Sequence, residues 1–224
     1  MVKGLHLADA EAADQARRMS PTQRLFRVKT PRDALELVRL AGVVTVVPAG
    51  ELPSLVVAVV GKPVEGSWWG HAQGKKIYRL SQQLLESPEV LAVKLVEGKV
   101  TFVHRALWPV LYRVVMDPER RRRALAGLST KSRSLLTQVE RTGLVRGDSE
   151  GYDAKSKEAL EQRLLVLVGS IHTELGKHVT TLQAWRSWST PALREEADSL
   201  EYARALDALR SASGGAPDLG PWVY

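Results

Sequence analysis

Cysteine is absent from the 224-residue chain. This absence excludes a disulfide framework, a thiolate nucleophile and a zinc or iron–sulfur site held by thiolates. Apolar runs are also short, and none approaches the ~20 residues that a membrane-spanning helix needs. The first twenty residues lack the apolar segment of a secretory signal. We therefore expect a cytoplasmic protein with no membrane partner.

Several catalytic fingerprints are missing as well. The sequence contains no GxGxxG, no GxxxxGK[ST] and no clear pair of carboxylates, so enzyme chemistry has little support. What is present is a composition typical of folded proteins, with 44% hydrophobic and 25% charged residues. Such a chain forms one domain or two small ones packed together.

Positive charge is concentrated in the middle of the chain. The whole sequence carries +7, whereas residues 72–146 hold 15 basic and 6 acidic side chains, a net +9. Residues 147–224 hold 8 basic and 12 acidic side chains, a net −4. This distribution predicts one basic face suited to a polyanion such as DNA, and hence nucleoid association. The alternative is a solvated surface without a partner.

The order of predicted elements in 31–116 is helix, short strand, helix, helix and β-hairpin. Thr30 and Pro31 look like a helix N-cap and first residue, and Glu97-Gly98 is a two-residue hairpin turn. The segment SLVVAVV after Pro53 is read as a helix, with a strand as the alternative. The order is that of a winged-helix domain, with 72–86 as recognition helix. The 61–71 connection is longer than an ordinary helix-turn-helix turn.

The other segments complete the expected organisation. Residues 1–30 form an N-terminal arm, 117–190 a helical domain, and 191–224 a C-terminal helix and tail. Residues 156–189 are predicted as one long helix, or two joined near Gly169 or Gly176. The expected fold class is α+β, mainly α, and a second winged-helix-like domain is the alternative for the helical part.

The segment GSWWGHAQGKKIYR, residues 66–79, is the first candidate for DNA contact. Its glycines permit close backbone approach, and its basic residues fall at a helix start, where unpaired amides also favour phosphate. Paired tryptophans can stack on bases or wedge a base step. The alternative is that one tryptophan is core and the other covers it. The candidates are Trp68, Trp69, His71, Gln73, Lys75, Lys76 and Arg79.

Two further basic groups are candidates for phosphate contact. In the wing, lysines either follow the DNA backbone or protect an edge strand from unwanted pairing. In the run of four arginines, at least two must face solvent or a partner, because adjacent helical residues cannot all face the core. The residues are Lys94, Lys99 and Arg105 in the wing, and Arg120, Arg121, Arg122 and Arg123 in the run.

One polar cluster has acid–base or metal potential. Glu161, His172 and Glu174 are the weak catalytic candidates, on a helix that also carries His178. The HExxH spacing of a zinc helix is absent, and buried structural hydrogen bonding is the main alternative. We expect no metal and no cofactor.

The chain resembles a group of bacterial winged-helix proteins over about residues 35–190. The resemblance rests on LVRLAGVVTVVPAGELPSLVVAVVG, WGHAQGKKIY, KLVEGKVTFVHRALWPVLYRVV and LEQRLLVLVGSIHTELGKHVTTLQAW. This largely uncharacterised group is distantly related to the winged-helix DNA glycosylase superfamily, which acts on alkylated and cross-linked DNA. The resemblance implies DNA-related winged-helix architecture. It does not extend to glycosylase activity, because the superfamily's QxD or QxQ pair is absent here.

The sequence therefore predicts a protein that binds double-stranded DNA, in transcription or repair. Its C-terminal helices would supply either a homodimer contact or a second DNA-binding module. Two other functions stay open, namely an enzyme acting on damaged DNA bases and a protein–protein interaction module.

Overall fold

The computed structural model describes residues 27–147, 152–172 and 178–214. The fold is α+β and mainly α, with two small three-stranded sheets. The chain divides into two compact units. The first comprises Met1–Leu91 with Thr101–His104, and the second comprises Ala92–Val100 with Arg105–Tyr224. No described helix is long and apolar enough to cross a membrane.

The elements from the first helix to the hairpin follow the predicted order. They are α1 (Pro31–Ala41), β1 (Val43–Thr45), α2 (Leu55–Val60), a 3-10 turn (Trp68–Gly70), α3 (Gly74–Leu85), β2 (Val90–Val96) and β3 (Lys99–His104). α1 begins where the sequence predicts, because Thr30 and Asp33 form a reciprocal capping box. α2 is a helix although valine dominates it, since the Ser54 hydroxyl accepts the N–H of Val57.

The first sheet has the strand order β1-β3-β2. β1 pairs antiparallel with β3, so that Val44 lies opposite Phe102, and both side chains are buried. The predicted hairpin turn is confirmed. Glu97 and Gly98 have φ angles of 50° and 65°, as a two-residue turn with two left-handed positions requires.

The remaining described elements contain more strand than the sequence indicates. They are α4 (Trp108–Val115), α5 (Pro118–Leu125), α6 (Thr130–Thr142), β4 (Leu144–Arg146), α7 (Ala154–Gln162), β5 (Leu167–His172), β6 (His178–Gln183), α8 (Trp185–Trp188), α9 (Pro191–Asp198) and α10 (Tyr202–Ala212).

The long helix predicted over 156–189 is wrong. α7 ends at Gln162, and the apolar run that follows supplies Leu167 and Val168 to β5, which pairs antiparallel with β6. Leu164 breaks the helix because its φ is 50°, a left-handed value that leucine rarely adopts. A run that is apolar on all sides is compatible with a buried strand as well as with a buried helix. Here it forms a buried segment that continues into a strand of the second sheet.

The second sheet has the order β4-β6-β5. In both sheets the first strand therefore lies beside the third. The sequence shows no internal repeat, yet the two sheets share this topology.

A fully buried arginine connects the helices of the second unit. Arg120 donates to the carbonyl of Val115 at 3.2 Å, to that of Leu164 at 3.4 Å, and to that of Arg163. In return, Arg163 donates to the carbonyls of Ala124 and Ala126 at 2.8 and 2.6 Å. Each guanidinium thus satisfies carbonyls at the end of a helix to which it does not belong.

Burial lowers the pKa of Arg120 to about 10, because the protein interior disfavours the charged guanidinium. That pKa still lies well above neutral pH, so Arg120 is protonated and all of its donors are present.

Replacing Arg120 with leucine should lower the free energy of unfolding by about 2–4 kcal/mol, since buried carbonyls lose their donor while the cost of burying a charge is recovered in part. Arg122→Leu is the matched control, because the Arg122 side chain is 73% exposed, and it should change stability by no more than about 0.5 kcal/mol. Urea unfolding followed by circular dichroism measures both. Equal stability of the two variants would contradict a structural role for Arg120.

Candidate nucleic-acid interface

The exposed face of α3 carries positive charge and no negative charge. The helix buries Ile77, Leu80 and Leu84 on its core side, at the spacing expected of an amphipathic helix. Lys75 and Arg79 are exposed on the opposite side, and Lys76 is half-buried. Gly74–Leu85 contains no aspartate or glutamate. The helix therefore presents three cations without an acidic neighbour of its own.

The three cations of α3 are not ion-paired with any described residue. Basic side chains elsewhere are, as Arg39 is with Glu89 at 2.6 Å and Arg122 with Glu119 at 2.7 Å. A cation without an intramolecular partner keeps its full charge for an external anion. Lys75, Lys76 and Arg79 thus form the strongest part of the predicted site.

The start of α3 offers fewer unpaired amides than the sequence suggests. The N–H of Gly74 donates to the carbonyl of His71 at 2.7 Å, and the N–H of Lys76 donates to the carbonyl of Gln73 at 3.0 Å. The N–H of Gln73 donates to Nδ1 of His71 at 3.1 Å. These three backbone N–H groups therefore already have intramolecular acceptors. Because Nδ1 of His71 accepts a hydrogen bond, Nε2 is the ring nitrogen of His71 that can donate one.

The paired tryptophans are not core residues. Trp68 is half-buried and Trp69 is 61% exposed, so the alternative of one buried tryptophan covered by the other is wrong. Their rings are stacked, with centroids 4.1 Å apart and an interplanar angle of 23°. Tyr78 of α3 lies tilted beside Trp69, at 5.5 Å between centroids. We call Trp68, Trp69 and Tyr78 the aromatic stack.

Sequence reasoning missed three polar residues on the exposed part of α3. Tyr78, Gln82 and Gln83 follow Lys75 at spacings of three, seven and eight residues, and a helix brings these positions to one side. Tyr78 and Gln83 are exposed and Gln82 is half-buried. The helical period counted forward from Lys75 could have found them.

The wing residues differ in how much charge they leave available. Lys94 contacts Glu161 at 3.1 Å, and its side chain is only 21% exposed. Lys99 contacts Glu97 at 2.5 Å. Arg105 is exposed, with no ion pair to a described residue. The prediction of phosphate contact is therefore better supported for Arg105 than for Lys94.

The four arginines of the run, residues 120–123, all make intramolecular hydrogen bonds or ion pairs. The prediction that Arg120 contacts DNA is wrong, because its side chain is fully buried and bound to carbonyls. Arg121 pairs with Glu140, while Arg122 and Arg123 both pair with Glu119. The expectation that at least two arginines face solvent holds for Arg122, which is exposed, and Arg123, which is partly exposed.

The polar cluster at 161–178 does not lie on one helix. Glu161 belongs to α7 and contacts Lys94 and Lys157 at 3.1 and 3.3 Å, so it serves in an ion-pair network. His172 ends β5 and lies opposite His178 in the strand register. Glu174 lies outside the described residues, as does the side chain of His172. Among the residues described, no group of three or more histidines or acids could hold a metal ion.

Comparison with known proteins identifies no relative. No family model matches the chain, and neither does any curated protein or solved structure.

Gly74 is required by the contact between the 3-10 turn and α3. A Cβ at this position would lie 2.8 Å from the carbonyl oxygen of Trp69 and 2.9 Å from that of Trp68. At Gly70 a Cβ would meet nothing within 4 Å. The turn that carries both tryptophans is therefore packed directly against the first residue of α3.

Gly74→Ala should destabilise the protein by about 1–3 kcal/mol, because the new methyl group meets backbone that cannot easily move. This is opposite to the gain that alanine usually brings in a helix. Gly70→Ala is the control and should change stability by less than about 0.5 kcal/mol. Urea unfolding measures the difference, and a stabilised Gly74→Ala variant would contradict the close contact.

Proposed function

We propose that this protein binds double-stranded DNA through a winged-helix domain in which α3 is the recognition helix. The observation that carries the proposal is the acid-free face of α3, whose three cations have no ion-pair partner among the described residues. The hairpin turn at Glu97-Gly98 would form the wing.

The element order and the strand order support winged-helix architecture. Three helices and a hairpin follow the order predicted from the sequence, and β1 extends the hairpin on the side of β3. The connection between α2 and α3 is longer than in an ordinary helix-turn-helix. Part of it is the 3-10 turn that packs on Gly74, so the extra length has a defined conformation.

The side chains of α3 suit the two kinds of contact that DNA recognition needs. Lys75, Lys76 and Arg79 can neutralise phosphates and so fix the helix on a duplex. Gln82 and Gln83 carry amides, and a glutamine amide can pair with the N6 and N7 groups of adenine in the major groove. The helix thus combines phosphate donors near its start with base-reading groups one to two turns later.

Binding by α3 would be driven mainly by the release of counterions from DNA. Each phosphate that a lysine or arginine neutralises contributes about 0.9 to the slope of log affinity against log salt. Three cations on α3 therefore account for a slope of about −3, to which any contacts from Lys99 and Arg105 would add.

The triple variant Lys75→Gln, Lys76→Gln, Arg79→Gln should bind a duplex at least about tenfold more weakly at low salt. Its log–log salt slope should be shallower by about one unit for each lost cation. Fluorescence anisotropy with a labelled 20-base-pair duplex across a salt series gives both quantities.

A matched variant separates a local effect from a change in net charge. Lys155, Arg186 and Arg204 are exposed basic residues of the second unit, and their replacement by glutamine removes the same three charges. This control should keep most of the affinity and the slope. A flat salt slope in the wild type, or equal losses in the two triple variants, would contradict the proposal.

A further inference from the structure

The aromatic stack is an exposed, rigid surface of flat rings. Trp69 is 61% exposed although tryptophan usually buries most of its large apolar area. Trp68 stacks on one face of its ring at 4.1 Å, and Tyr78 approaches at a tilt of 44°. Contact with two other rings limits the conformations of the Trp69 side chain. A ligand that binds Trp69 therefore loses little affinity to ordering it.

The backbone that carries the stack is also fixed. Within the 3-10 turn, the N–H of His71 donates to the carbonyl of Trp68 at 3.1 Å. The carbonyls of both tryptophans pack against Gly74, where a Cβ would not fit. At Gly66 and Gly70, on either side of the tryptophan pair, a Cβ would meet nothing within 4 Å. The backbone of the two tryptophans is thus fixed by its contact with Gly74. The lack of a side chain at Gly66 and Gly70 leaves space beside the aromatic stack for a ligand.

Cations accompany the stack on the surface of α3. Tyr78 follows Lys75 by three residues and directly precedes Arg79, so all three lie on the exposed side of the helix. Exposed tryptophan also occurs at protein interfaces, but lysine is depleted from the centres of such interfaces. Aromatic rings beside unpaired cations are instead the combination that binds a base and its phosphate together.

A base inside a continuous duplex cannot use this surface, because both of its faces are already stacked on neighbouring base pairs. A base without a pairing partner can leave the helix and stack on an aromatic side chain. We infer that Trp69 binds an unpaired base, and that the preferred ligand is a duplex containing a single-stranded or unpaired position. This inference rests on the proposed DNA binding by α3 and names the form of DNA that is bound.

The test compares two ligands with the same base pairs, which differ by one nucleotide and its phosphate. One is a fully paired duplex, and the other carries one bulged, unpaired thymine. Anisotropy at a fixed salt concentration should show that the wild type prefers the bulged duplex by about fivefold to a hundredfold, the range for one stacked base. Trp69→Ala should remove this preference, so that the two ligands bind this variant with about equal affinity.

Two variants serve as controls for Trp69→Ala. Trp69→Phe keeps a flat ring and should retain part of the preference, which a purely structural role would not require. Leu40→Ala removes another exposed apolar side chain of the first unit, 63% exposed on α1, and should retain all of it. Thermal unfolding of each variant shows whether the fold is intact. Quenching of tryptophan fluorescence by the bulged duplex should be smaller in Trp69→Ala than in the wild type.

The outcomes distinguish this inference from the proposed function. Equal wild-type affinity for both ligands, with the expected loss in the α3 triple variant, would overturn the base-stacking inference alone. Binding of bulged but not paired DNA, lost in Trp69→Ala, would support base stacking and contradict duplex binding. Binding of neither ligand would overturn both. A preference that persists in a folded Trp69→Ala variant would overturn the assignment to Trp69.

Discussion

The second unit depends on one buried cation that lies where helix ends meet the core. The last carbonyls of a helix have no partner within it, and inside a protein they need donors. Arg120 supplies donors to Leu164 and Arg163 just after α7, and Trp185 adds its indole N–H to the Leu164 carbonyl at 3.0 Å. These contacts hold Leu164 in a left-handed conformation that it would not adopt alone. The turn at Leu164 in turn redirects the chain from α7 into β5, so the second sheet follows from the same contacts.

Intramolecular hydrogen bonds and ion pairs also determine which basic residues remain available for a partner. Where a cation is buried or lies near an acid, intramolecular contacts take its hydrogen-bonding capacity, as they do for Arg120 and Lys94. On α3 neither condition applies, and Lys75 and Arg79 stay exposed. Density of charge along the sequence is therefore a poor guide to an anion site. From the sequence, the four consecutive arginines are a denser cluster of positive charge than the three cations of α3. The arginines, however, have acidic or carbonyl partners, whereas α3 contains no acidic residue.

Sequence reasoning succeeded where a short stretch of chain determines the structure. The N-cap at Thr30, the helix after Pro53 and the turn at Glu97 each depend on neighbouring residues, and all three are present in the structure. It failed where residues distant in the sequence determine the local structure. The hairpin of β5 and β6 needs β4 as a third strand, and nothing local distinguishes its apolar run from a buried helix. The burial of Arg120 likewise depends on carbonyls more than forty residues away. For the candidate site, residue types and helix were predictable, whereas the exposure of Trp69 was not.

The two sheets show how similar topologies can leave different surfaces. Each sheet places its first strand beside its third, and a helix directly precedes each hairpin, α3 before the first and α7 before the second. α3 has no acidic residue, whereas α7 contains Glu158 and Glu161, and Glu161 pairs with Lys94 and Lys157. Lys157 and Glu161 of α7 thus form ion pairs within their own unit, whereas the three cations of α3 have no ion-pair partner among the described residues. Because an anion competes poorly for a lysine that already has a carboxylate partner, α3 is the helix whose cations bear most directly on the proposed DNA binding.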